Sequence, residues 1–171
     1  MNPLIDEAIS LSAPQLKLRS DPSTFTLRRN DIPEDVSCFF ARVTGGILFP
    51  HRFDDGEIIG FEVADDFGQS INDICLVSPG DACFGHWDLC FVLFRSTMDF
   101  ESVWGIDLNP RSYGRIFSCR IPFALSEHPQ HGATVVARSF GEWLRFWVTN
   151  YHKALGDWRS LAKEPDLGPV V

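Results

Sequence analysis

Between Gly46 and Phe123 the chain never sustains a helical period. It runs instead through GILFPHRF, EIIGFEVAD, INDICLVS, DLCFVLFRS, ESVWGIDL and GRIFSCRIPF, short stretches rich in aromatic and β-branched residues. Each is bounded by Gly, Asp, Asn or Pro, the residues that break or turn an extended chain. In EIIGFEVAD, strict alternation sends Ile59, Phe61 and Val63 to one face and Glu62 to the other. Parallel strands need crossovers of a dozen or more residues, usually helical, and no long helix separates these runs. The sheet is therefore expected to be mostly antiparallel.

Helical signals flank the strands. In IPEDVSCFFARVTGG, Pro33 opens a first turn with Glu34 and Asp35 beside it, where the helix dipole favours negative charge. Val36, Phe39, Phe40 and Val43 follow at i, i+3, i+4, i+7, and Gly45–Gly46 is the expected stop. SFGEWLRFWVTNYHKAL starts on Ser139 and Glu142, an S-x-x-E capping box. It carries Phe140, Trp143, Leu144, Trp147, Val148, Tyr151 and Leu155 as one apolar stripe, whose two tryptophans are expected to cover the sheet. A further short helix is expected over residues 3–11, and 19–31 reads as a connection. The expected fold is α+β: one domain over 1–155, a mostly antiparallel sheet backed by an N-terminal helix (about 33–43) and a C-terminal amphipathic helix (about 139–155), then a loose tail over 156–171. The chain's 171 residues, 44% hydrophobic and 22% charged, suit one domain with a real core.

Charge is unevenly distributed. Residues 53–94 hold nine carboxylates and no Lys or Arg, although the chain has 15 basic residues; the net charge is −8, so the remainder sums to +1. A surface this negative excludes phosphate-backbone recognition there and docking on an anionic membrane. The longest wholly apolar run is LCFVLF, far short of the roughly 20 residues a bilayer requires. The first residues lack the basic and apolar regions of a signal peptide. Five cysteines at irregular spacing, without C-x-x-C, read as free thiols acting as small buried apolar residues. Together these place the expected site of action in the cytoplasm.

Three stretches, in order, resemble the SUKH superfamily, the group that includes bacterial toxin-immunity proteins and a fungal cell-wall-synthesis regulator. IPEDVSCFFARVTGG is similar to its opening helix, IDLNPRSYGRIFSC to its central hairpin, and VVARSFGEWLRFWV to its closing strand and helix. The likeness covers residues 32 to about 150. Where members commonly carry Gly-Asp before the hairpin, this chain has STMDFESVWG. The resemblance implies an α+β binding domain without a catalytic centre or cofactor, which in many bacterial members blocks a toxin.

Motifs for chemistry are sparse. Cys83, His86 and Cys90 bunch three potential zinc ligands, but structural zinc wants a second close pair. His128 and His131 lack H-E-x-x-H, and no phosphate-binding glycine loop or calcium loop is present. A small thiol- or metal-dependent hydrolase at Cys83, His86 and Cys90 is the enzyme alternative, and a regulatory or scaffolding protein is the alternative among binders. The expectation is a non-catalytic protein that holds a basic toxin, a nuclease being the fitting class, on an acidic surface. Asp54, Asp55 and Glu57 lie before one strand, Asp65 and Asp66 after it, and Trp87 with Asp88 supply an aromatic anchor. Neither metal, nucleic acid nor membrane enters this reading.

Overall fold

The computed structural model describes residues 2–25, 31–64, 89–98, 102–120, 133–151 and 164–170. The described helices are α1 (Pro3–Ser12), α2 (Glu34–Arg42) and α3 (Phe140–Tyr151), with a short 3-10 turn at Pro22–Thr24. The strands are β1 (Leu16–Leu18), β2 (Val43–Arg52), β3 (Ile58–Val63), β4 (Cys90–Ser96), β5 (Ser102–Asp107), β6 (Arg115–Arg120) and β7 (Ala133–Ala137). They form a seven-stranded sheet in the order β1-β2-β3-β4-β5-β6-β7, every pair antiparallel. The fold is a single α+β domain, as the change of hydrophobic period predicts.

One face of the sheet takes the three helices. Val36, Phe39 and Phe40 of α2 and Phe140, Trp143, Leu144, Trp147 and Val148 of α3 bury the stripes read from their spacing. They meet Leu48, Phe49, Phe61, Val63, Leu93, Phe94 and Ile106, with Ile5, Ala8 and Ile9 of α1 joining the same core. Ile59 and Val63 are buried and Glu62 is exposed, so the alternation expected for β3 holds. A smaller cluster, including Val92, Val103, Phe117, Cys119 and Val135, lies on the other face, which explains why β4 is buried on both sides.

The Gly45–Gly46 pair has a different use from the expected stop. Helix α2 ends at Arg42, and the chain passes directly into β2 at Val43. Gly46, at φ +96°, lies where β1 crosses: an added Cβ would stand 2.2 Å from the Gln15 carbonyl oxygen. Gly46 therefore admits a neighbouring backbone. Pro33 is the cap residue just outside α2, one position before the expected first turn. The capping box is also displaced. Glu142 N–H donates to Ser139 Oγ (3.1 Å), but the Glu142 carboxylate reaches past Ser139 to accept from Arg138 N–H (2.7 Å).

The expected strand INDICLVS lies outside the described residues, as do 152–155 of the expected last helix. Part of the expected loose tail is docked. Val135 N–H donates to the Gly168 carbonyl, Leu167 N–H donates to the Val135 carbonyl (both 2.9 Å), and Thr134 bridges Pro169 antiparallel. Residues 167–170 thus lie along β7. Among the described residues no helix is long and apolar enough to cross a membrane.

Candidate functional site

The β2–β3 connection is a tight turn held by its own backbone. Phe53 N–H donates to the Glu57 carbonyl (2.9 Å), and Gly56 N–H donates to the Phe53 carbonyl (3.0 Å). The Asp55 carboxylate accepts from Glu57 N–H (2.9 Å), the side-chain turn for which Asp is suited. Gly56 supplies the φ of +89° that the turn needs. Asp54, Asp55 and Glu57 are exposed together at this tip. Arg52, also exposed, stands at its base opposite Ile58, and the rings of His51 and Phe53 meet edge to face 5.2 Å apart. The tip is thus a fixed, outward-facing group of three carboxylates.

Asp65, Asp66, Trp87 and Asp88 lie outside the described residues, with Cys83, His86, His128 and His131. The strand directions bear on how the acidic stretch is divided. β3 carries the chain away from the tip for six residues, about 20 Å at strand rise, to Ala64, whose N–H donates to the Leu93 carbonyl (3.1 Å). Asp54, Asp55 and Glu57 therefore lie at one end of β3 and Ala64 at the other.

Of the proposed thiol site, Cys90 is described, and it is fully buried in β4. Burial pushes its thiol well above the ordinary range, and the nearby Asp107 carboxylate adds to the shift. That is the reverse of an activated nucleophile, which needs a lowered thiol pKa. Asp107, itself buried, accepts from Ser112 Oγ (2.6 Å) and Asn109 N–H (2.9 Å), shaping the β5–β6 turn. Cys119 is also buried, whereas Cys38 is exposed on α2, contrary to the expected burial. Among the described residues no group of three or more His, Cys, Asp or Glu side chains could hold a metal ion.

The site that sequence reasoning missed is a caged carboxylate. Glu164 Oε1 accepts from the indole N–H groups of Trp143 (2.8 Å) and Trp147 (2.9 Å), and Oε2 accepts from Trp104 (2.7 Å). The two tryptophans of α3 do cover the sheet, and they also aim their polar edges at this one side chain. Phe61 stands among the three indoles, its ring centroid 4.6 Å from Trp104, 5.0 Å from Trp143 and 4.6 Å from Trp147. Burial raises the Glu164 pKa, and the three indole bonds pull the other way without cancelling it. One signal was available: a buried indole N–H needs an acceptor, and two tryptophans on one apolar stripe leave that acceptor to be found.

Searches against protein-family models, curated proteins and solved structures find no match to the chain.

Proposed function

We propose that this protein is a non-catalytic binding protein that holds a basic protein partner at the β2–β3 tip, and that the partner is a toxin neutralised by contact. The observation that carries this reading is the tip itself. Three carboxylates project from a turn whose shape is held by backbone bonds, so little ordering is required when a partner arrives. A negative, pre-formed surface steers a cationic partner and raises specificity more than affinity. A nuclease is the toxin class that fits, because its substrate groove must be basic and the carboxylates can stand in for phosphates. The ordered likeness to the SUKH superfamily supports the immunity role. Action in the cytoplasm suits cysteines that stay reduced, as Cys38 does on the exposed side of α2.

The test is capture from the source cells at low salt, wild type beside the triple variant D54K/D55K/E57K. Wild type is expected to retain a basic protein that salt releases, and the variant to bind it about ten- to a hundred-fold more weakly, mainly through slower association. Equal capture by both would remove the tip from the interface. Capture of no basic protein by wild type would remove the partner class. Protection of cells from the captured protein separates immunity from scaffolding.

A further inference from the structure

The segment 164–170 is seated at two points. At its start, three indole N–H groups from β5 and α3 close on the Glu164 carboxylate. At its end, Val170 is buried against the smaller cluster, and its N–H donates to the Ala133 carbonyl (3.4 Å). Between them Pro165, Asp166, Leu167 and Pro169 are exposed, and contact with β7 is through backbone hydrogen bonds. An Asp166–Gly168 side-chain turn (3.0 Å), with Gly168 at φ +100°, kinks the segment midway.

What the domain recognises here is therefore a carboxylate, a stretch of extended main chain and one aliphatic side chain. None of these is peculiar to the chain's own segment. Strand addition to a sheet edge, with side-chain pockets setting specificity, is a general mode of peptide binding.

We propose that the indole pocket of Trp104, Trp143 and Trp147 and the adjoining edge of β7 form a peptide-binding site, which the chain fills with its own residues 164–170. The ligand is an extended peptide with a carboxylate at the Glu164 position and an aliphatic side chain six residues later. This site is separate from the acidic tip and does not depend on the function proposed for it. The tethered segment competes at an effective concentration on the order of millimolar, so a free peptide needs the tether's anchor weakened before it gains entry.

The experiment uses the full chain carrying Glu164→Ala and a peptide of sequence EPDLGPVV, residues 164–171, titrated by calorimetry. E164A is expected to bind this peptide at least tenfold more tightly than wild type does. A peptide with Gln in place of Glu is expected to bind E164A at least tenfold more weakly. A folded E164A that takes up neither peptide, or takes both equally, overturns the proposal. Should E164A fail to fold, native-state hydrogen exchange on wild type decides. Exchange of the Val135, Leu167 and Val170 amides through a local opening supports a displaceable segment, whereas exchange of all three only through global unfolding overturns it.

Discussion

Ser12 joins two elements through one hydroxyl: it donates to the Ala8 carbonyl (2.7 Å) and accepts from Phe49 N–H (2.9 Å). Phe49 sits at φ +52°, within the register shift between Leu48 and His51, and is fully buried. A bulky residue in that conformation needs the surrounding structure to hold it. Its ring lies 6.4 Å from Phe61 and 5.8 Å from Tyr151, so the bulge delivers an aromatic side chain to the core. Ser12→Ala leaves the buried Phe49 N–H without its acceptor, and we expect a loss of about 1–3 kcal/mol in urea unfolding. Glu164 makes a prediction of opposite character, in pH. Its folded pKa is raised above the ordinary 4.5, so folding favours its protonated form. The stabilisation this gives is fully present below the unfolded pKa and is lost as pH rises through the folded one. The stability difference between wild type and E164Q should therefore shrink as pH rises above 4.5, measured by urea unfolding across that range. A constant difference would show that Glu164 does not titrate differently on folding. Neither residue's role was legible in the sequence, because Ser12 acts on a backbone 37 positions away and Glu164 on indoles up to 60 away.

Helices α2 and α3 begin at a shared carboxylate. Asp35 Oδ1 accepts from Val36 N–H and Oδ2 from Gly141 N–H, both at 2.9 Å. One side chain thus satisfies a free donor in the first turn of each helix, where the dipole also favours negative charge. Asp35→Ala should cost about 1–2 kcal/mol, and thermal unfolding of the variant checks it. Asp35→Asn should recover part of that loss, since it keeps an acceptor but not the charge. The sequence marks both helix starts, through Pro33-Glu34-Asp35 and Ser139-x-x-Glu142, because capping signals are local. The bond from Asp35 to Gly141 joins residues 106 apart and has no local signature. Arg42 and Asp6 make a comparable link, an ion pair between α2 and α1.

For the whole molecule, the antiparallel sheet was the most legible feature, since six strand-like runs without intervening helices leave only short connections; the order of the strands within it, β1 through β7 in sequence, was not legible. Five of those runs correspond to β2 through β6. The pairing of β1 with β2, and of 167–170 with β7, was not legible, because main-chain bonds carry it and the segments are too short, three residues in β1, to show a period. Asp54, Asp55 and Glu57 were legible as a group by charge alone, and the turn explains why they stay exposed. If that charge serves recognition rather than folding, D54K/D55K/E57K should leave the urea midpoint near wild type while partner affinity loses much of its salt dependence. A large drop in midpoint would instead make the three carboxylates part of the fold's own stability. The two edges of the sheet are finished differently, with a three-residue β1 at one side and the docked 167–170 at the other. Cutting away that segment would strip its main-chain partners from Ala133 and Val135 and uncover an apolar edge available to another chain. A protease that nicks the chain near Glu164 would thus leave the β7 edge open to pairing and make the protein aggregation-prone.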